Sequence, residues 1–545
     1  MRKGHTFWFS AVIPFVLLAI LAACAGAPTT PSATVPPTVT APTSAPAPTS
    51  APGAALDTAA LDAYIVRLMQ DYDVPGVGLA VVQNGQIAYT KGYGVRDVTS
   101  GAPVTPNTQF AIGSVTKSFT ALGVMLLVQQ GKVKLDDPVT KYIPEFKLSD
   151  PAATAKATVR HLLSHTSGMV RSDAASLDPT LTRADLLKLA ATVPLQSQPG
   201  QKFAYSNLNT TIAGVLIERV SGQNWEDYTR QHIFTPLGMT TATLDVDAMQ
   251  RTPDFAQPHE IDVLKGNELA PFHSWHNEAP AAAINASAAE LARYVQFQVG
   301  DGTFNGQRLL SPDLLAEMHR PVVAAPDLDP GLTAAMAARA QGLPAPTSLI
   351  TDTGYALYWT TEDFQGHRLT WHDGIVAPGY TAMVMLVPET RSGVVILTNA
   401  THAENFLQVV RQHVAELLLG ITPQHDTQQI VEGQAKILGE DNASRRAQLA
   451  AARSYKADPT DLQALVGEYQ SLMGDKPSHV SAVDGTKLQL NLSIQGATTD
   501  TELIPFSREG FIANSGVAKG IVISFKPAQD GKTTLIVAGR PVAQK

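Results

Sequence analysis

Apolar and polar positions follow two different periods along this chain, and the changes of period mark its parts. Leu61, Tyr64, Ile65 and Leu68 recur at helical spacing and predict an amphipathic first helix. Val77 to Val82 is then a continuous apolar run, followed by Asn84-Gly85 and a second run at Ile87-Ala88-Tyr89. Asn-Gly between two such runs signals a tight hairpin. Phe119 to Val128 and Thr211 to Val220 predict apolar helices, within a mixed and mostly helical region that extends to about residue 320. Ala288 to Gln298 predicts a further helix. Residues 321–348, rich in Pro and Ala, read as an irregular insertion. Strand signals return at Leu357 to Trp359, His367 to Trp371, Thr381 to Leu386 and Gly393 to Leu397, and 403–419 reads as a closing helix. Strands at both ends with helices between predict an α+β fold over 55–422. One antiparallel sheet, assembled from distant segments, is flanked by helices and joined by a mainly helical subdomain.

The pattern changes again toward the C-terminus. Residues 423–461 are polar, rich in Gln and Ala, and read as a helical connector. Beyond them, Asp484-Gly485, Glu509-Gly510 and Asp530-Gly531 punctuate short apolar runs at intervals suited to a small all-β barrel over 462–545.

The N-terminus has a different character. Arg2 and Lys3 precede an apolar run, Phe7 to Leu21, that is too short for an ordinary membrane span. The run ends at Leu21-Ala22-Ala23-Cys24, similar to a bacterial lipobox, and Cys24 is the single cysteine of the 545 residues. Residues 1–24 therefore read as a lipoprotein signal peptide and Cys24 as its lipidation site. Residues 25–54, almost wholly Ala, Pro, Thr and Ser, read as a disordered tether. The expected location is extracytoplasmic, on a lipid anchor in a bacterial cell membrane. Composition is otherwise that of a globular protein, 44% hydrophobic and 16% charged. A net charge of −8 without long basic runs excludes a nucleic-acid footprint. The sequence sets no oligomeric state.

Candidate chemistry begins at Ser114-Val115-Thr116-Lys117. If the apolar stretch beyond it is helical, Lys117 lies one turn above the Ser114 hydroxyl. Serine is a weak nucleophile that needs a base held against it, and a desolvated lysine can serve. Tyr205-Ser206-Asn207 offers a phenol that can relay a proton and an amide that can hold both Lys117 and a substrate. His372-Asp373-Gly374 places a glycine where a strand can approach a ligand, with the Ile375 N–H as a possible oxyanion donor. His161-Leu162-Leu163-Ser164-His165-Thr166-Ser167-Gly168 has no metal spacing and reads as structural, with polar side chains bonding the backbone where a helix ends at Gly168.

The order S-x-x-K, Y-x-N, H-x-G resembles the penicillin-recognising serine hydrolases. Over roughly residues 56–420 the chain looks most like the class C β-lactamase-like branch. That branch includes D-alanyl-D-alanine carboxypeptidases, D-aminopeptidases and β-lactamase-like esterases. The resemblance implies Ser114 as nucleophile, with Lys117 and Tyr205 sharing the acid–base work in either order. It implies substrate binding by Asn207, His372, Gly374 and Ile375, an oxyanion hole from the N–H groups of Ser114 and Ile375, and no metal or cofactor. His372 stands where β-lactamases usually carry a lysine that binds the substrate carboxylate. That departure favours an ester or D-amino-acid peptide over a β-lactam. Ala281-Ala282-Ala283 replaces a glycine pair common in relatives and reads as a packing variation. Residues 462–545 resemble the lipocalin-like domain that often follows this catalytic domain. The expected function is an exported serine hydrolase acting on a small ester, amide or peptide. The alternatives are a β-lactamase or a catalytically silent penicillin-binding surface protein.

Overall fold

The structure is a computed structural model. It describes residues 56–171, 180–262, 266–328, 350–421, 450, 454–472, 476–483, 485–494, 497–514, 522–528, 531–537 and 540–545. The expected signal peptide, tether and lipidation site at Cys24, and most of the expected connector, lie outside the described residues. Among the described residues no helix is long and apolar enough to cross a membrane. The chain forms two compact units, one carrying a large sheet and the other a barrel.

The first unit opens with α1 (Thr58–Asp71), capped by the Asp57 side chain on the Ala60 N–H. Strands β1 (Gly76–Gln83) and β2 (Gln86–Asp97) follow as a hairpin. Asn84 and Gly85 both take positive φ, 53° and 76°, as a two-residue hairpin turn demands. Beyond β3 (Ala102–Pro103) come α2 (Thr116–Gln129), α3 (Asn207–Ser221) and α4 (Ala288–Gln298). The chain then returns to the sheet with β4 (Val323–Ala324), β5 (Ile350–Tyr355), β6 (Thr360–Phe364), β7 (His367–Val376), β8 (Tyr380–Val387) and β9 (Ser392–Thr398), and ends in α5 (Glu404–Leu419). The sheet order is β4-β5-β6-β7-β8-β9-β1-β2-β3, antiparallel throughout. The distant ends of the chain meet where β1 pairs with β9, Leu79 opposite Ile396.

Alternate residues of the central strands divide between two cores, as a two-faced sheet requires. Val77, Leu79 and Val81 pack with Leu61 and Ile65 of α1 and with Phe406 and Val410 of α5. Ala80 and Val82 face the other way, into the larger core with Phe119 and Leu122 of α2, Ile212 and Leu216 of α3, and Leu291 of α4. α2 is buried on every side from Thr116 to Leu127, which accounts for its nearly unbroken apolar sequence.

Three expectations change. Leu357 to Trp359 forms no strand; it bends between β5 and β6, with Tyr358 at φ 57°, and its side chains are apolar because they fill the larger core. The helix expected to end at Gly168 spans Val159–Leu163, and Ser164 closes it by bonding the Arg160 carbonyl. Residues 321–328 carry the edge strand β4, and 329–348 lie outside the described residues.

The second unit is a closed barrel of eight strands running in chain order from β10 (Gly467–Ser471) through β11 (Ser478–Val483), β12 (Lys487–Ile494), β13 (Ala497–Pro505), β14 (Gly510–Ala513), β15 (Val522–Pro527) and β16 (Thr533–Val537) to β17 (Arg540–Gln544). Gln470 opposite Gln544 closes it. Its interior holds side chains, including Tyr469, Leu490, Phe511, Phe525 and Leu535, as eight strands allow.

Candidate active site

Ser114 is the middle residue of a 3-10 turn, Gly113–Val115, that runs straight into α2. Lys117 therefore stands in the first turn of the helix, where side chains lean back toward the N-terminus. Its Nζ lies 2.9 Å from Ser114 Oγ, 2.8 Å from Asn207 Oδ1 and 3.1 Å from the Ala281 carbonyl oxygen. Lys117 is fully buried, whereas Ser114 is partly open. Asn207 is the first residue of α3, and Tyr205 precedes its cap, with the Lys117 Nζ 4.8 Å from the tyrosine ring centre.

The loop carrying Tyr205 is clamped by His165. The His165 carbonyl accepts the Ala204 N–H at 2.8 Å, and its Nδ1 accepts the Ser206 N–H at 3.3 Å. The ring lies 4.6 Å from the Tyr205 ring, centre to centre. Since Nδ1 accepts, the ring proton resides on Nε2. Burial holds His165 well below the ordinary histidine range, so the clamp stays neutral.

Glycines bring β7 against the serine turn. A Cβ on Gly374 would fall 2.0 Å from the Ile112 oxygen and 2.8 Å from the Ser114 nitrogen. One on Gly113, which has φ +51°, would fall 2.8 Å from the Ile375 nitrogen. The backbones of Ser114 and Ile375 can approach only because both positions lack a side chain. Asp373-Gly374 is thus strand; the β7–β8 turn comes later, at 377–379. β6 pairs with β7 only as far as Trp371, leaving the edge from His372 onward to face the turn.

His372 is buried beside Tyr205, 6.2 Å between ring centres. Its Nδ1 lies 2.6 Å from the Asp373 carbonyl oxygen, which can only accept, so Nδ1 carries the proton. Nε2 then accepts the Tyr355 O–H at 3.1 Å. Burial pushes His372 down to about 3. It is therefore neutral throughout the physiological range. Its folded pKa lies below its unfolded one, so the stability tied to this neutral ring is fully present above pH 6.5 and is lost as pH falls toward 3. Histidine-selective NMR should accordingly show a flat His372 resonance from pH 8 to pH 5, and a midpoint inside that range would contradict the assignment.

Ser114, Lys117, Tyr205, Asn207, His372, Gly374 and Ile375 thus converge from three chain segments, with Cys24 outside the described residues. Sequence reasoning missed four neighbours. Ala281 contributes through its backbone carbonyl, which leaves no trace in residue type. Tyr355 and His165 lie in segments read for structure. Arg171, whose Cζ is 5.6 Å from the Tyr205 ring centre, sits at the end of a loop whose course no pattern foretells.

Residues 61–419 match the family model described as Beta-lactamase. Among curated relatives, Protein flp of Staphylococcus aureus (strain MW2) is 26% identical over 351 residues, 62% of each chain. The Unguisins hydrolase ungD' of Aspergillus campestris is 29% identical over 374 residues, 66% of this chain and 65% of its own. The match thus spans less than two thirds of either relative's length. The octameric penicillin-binding protein homologue from Pyrococcus abyssi has a similar structure, with TM-score 0.59 and 25% identity over 90% of this chain and 100% of that one.

Proposed function

The chain belongs to the beta-lactamase family, and we propose that it is a serine hydrolase that cleaves an ester or amide through a covalent acyl intermediate on Ser114. The observation that carries this reading is the set of oxygens around Lys117 Nζ. Asn207 Oδ1 and the Ala281 carbonyl are acceptors, and they take two N–H bonds. In its neutral form the amine gives its two N–H groups to these oxygens and turns its lone pair to the Ser114 hydroxyl. Lys117 takes the hydroxyl proton as Oγ bonds to the substrate carbonyl carbon. The N–H groups of Ser114 and Ile375 hold the resulting oxyanion. The intermediate collapses as Lys117 or Tyr205 protonates the departing alcohol or amine, and the acyl group stays on Ser114. Water then adds to the acyl carbon and gives a proton to the same base. Collapse of this second intermediate frees the acid and restores the Ser114 hydroxyl.

Esters and D-amino-acid amides or peptides fit this site better than β-lactams, because a neutral His372 offers no fixed cation to a substrate carboxylate. Export with a lipid on Cys24 completes the proposal and rests on the Leu21-Ala22-Ala23-Cys24 pattern. A Cys24→Ala chain is expected to leave the membrane fraction, and unchanged membrane partition would refute the anchor.

Incubation with a fluorophosphonate, followed by peptide mass spectrometry, is expected to place the adduct on Ser114, with p-nitrophenyl esters turned over before labelling. An adduct elsewhere overturns the nucleophile. An acyl adduct that forms without turnover identifies a silent binder, and nitrocefin hydrolysed faster than the esters reverses the substrate order.

A further inference from the structure

We propose that Thr120 is a positioning residue for the base: with Trp225 behind it, it fixes the Ala281 carbonyl that aims the Lys117 amine at Ser114. The inference rests on the acyl-serine reading and adds to it a residue that acts through Lys117. Thr120, on α2, is fully buried. A helical threonine commonly returns its hydroxyl to the carbonyl four residues back in its own helix. Thr120 Oγ1 instead donates to the Pro280 carbonyl at 2.7 Å and accepts the Trp225 indole N–H at 3.0 Å. Trp225, also fully buried, begins the short helix Trp225–Thr229. Indole N–H can only donate, so the single hydroxyl proton of Thr120 is directed to Pro280.

Pro280 and Ala281 lie in one buried helical turn, Ala279–Ala282, and share a rigid peptide plane. Holding the Pro280 oxygen therefore fixes the amide end of Ala281. The far end of the segment is held by Thr116 Oγ1, which accepts the Ile284 N–H at 3.2 Å. The Ile284 carbonyl in turn accepts the Ile112 N–H at 3.0 Å, two residues before Ser114. Thr116, Lys117 and Thr120 belong to the same helix, with the two threonines one turn apart. The base and both clamps on its acceptor thus share one frame, and the 3.1 Å contact from Lys117 Nζ to the Ala281 oxygen is set within it. The Pro280 ring seats on α3 at Gly214, where a Cβ would fall 2.3 Å from its Cγ. Asn207, which holds the other Lys117 N–H, lies about two turns away on that helix. Removing the Thr120 hydroxyl leaves a buried carbonyl and a buried indole N–H each short of a partner. The turn then shifts to satisfy them, and the Ala281 oxygen moves with it.

The test uses the full chain and one p-nitrophenyl ester, with single-turnover acylation rates taken per folded molecule and the folded fraction read from near-UV circular dichroism. Valine keeps the shape of threonine without its hydroxyl, and serine keeps the hydroxyl. Thr120→Val is expected to lower the acylation rate at saturating ester about ten- to a hundredfold, with half-saturation moved by less than about threefold. Thr120→Ser is expected to stay within about threefold of the parent chain. In a Lys117→Met background, Thr120→Val is expected to add less than about twofold, because no amine is left to aim. An unchanged rate in Thr120→Val, a serine variant as slow as the valine one, or a full further loss in the Lys117→Met background overturns the inference. Should Thr120→Val not fold, Trp225→Phe frees the hydroxyl to turn from Pro280 and is expected to lower the same rate about threefold; an unchanged rate there overturns the inference too. Ser114→Ala and Lys117→Met, run alongside, separate the two readings. Full turnover in either refutes the acyl-serine mechanism, whereas loss in both with Thr120→Val fully active refutes the positioning role alone.

Discussion

Ser114→Ala and Lys117→Met are each expected to lower kcat by about 10³-fold or more, and the double variant is expected to be no slower than either alone. The nucleophile and its base act as one unit, since the 2.9 Å contact between Ser114 Oγ and Lys117 Nζ is useful only when both ends are present. Methionine suits the test because Lys117 lies in an α2 segment buried on every side, where an unbranched apolar chain of similar length can pack. Its cost is local: Asn207 Oδ1 and the Ala281 carbonyl each lose a donor, about 1–3 kcal/mol apiece where no water replaces it. Lys117→Arg should fare no better in kcat, because guanidinium does not deprotonate at neutral pH. Single-turnover rates on one ester for all four chains decide the matter. A double variant slower than both singles by the product of their effects would show that serine and lysine act independently.

Much of this site was legible because its chemistry is carried by side-chain identity at short spacing. Lys117 three residues after Ser114, and Asn207 two after Tyr205, survive as patterns in one dimension. Helices α2 and α4 and the β1–β2 hairpin were legible for a related reason. Their apolar period, or an Asn-Gly pair with two positive φ angles, is a local signature. Leu357 to Trp359 shows where that reasoning stops. Three consecutive large apolar residues look alike whether they form a buried strand or a buried bend, and only the core they fill distinguishes them. The remaining site contacts arise from tertiary assembly. Tyr355 reaches His372 because β5 ends beside β7's free edge, and Ala281 reaches Lys117 with a carbonyl that any residue would possess. The glycine pair reading of 281–283 as mere packing is therefore incomplete: the backbone there is a partner of the buried amine.

Arg411→Met is expected to cost about 3–5 kcal/mol of stability, because it strips the partner from a buried carboxylate. Arg411 on α5 and Glu362 on β6 are both buried, with Nη1 2.6 Å from Oε1. The second oxygen of Glu362 accepts the Trp371 indole N–H at 2.7 Å, and the guanidinium lies over that ring, 4.8 Å from its centre. The pair therefore ties the closing helix to the residue before His372. Without Arg411, the Glu362 carboxyl is left without its counter-ion in a dry interior. Adding Glu362→Gln to Arg411→Met removes that charge and keeps an acceptor for Trp371, so the double variant is expected to recover half or more of the loss. Urea unfolding of the three chains measures both steps. If the double variant is less stable than Arg411→Met, the cost lies in lost packing of the arginine against Trp371, and the ion pair is not what holds α5 to β7. If it recovers, the wall of the cleft depends on a neutralised charge on the far face of the sheet, and partial loss of that pair should lower activity in proportion to the fraction of protein unfolded.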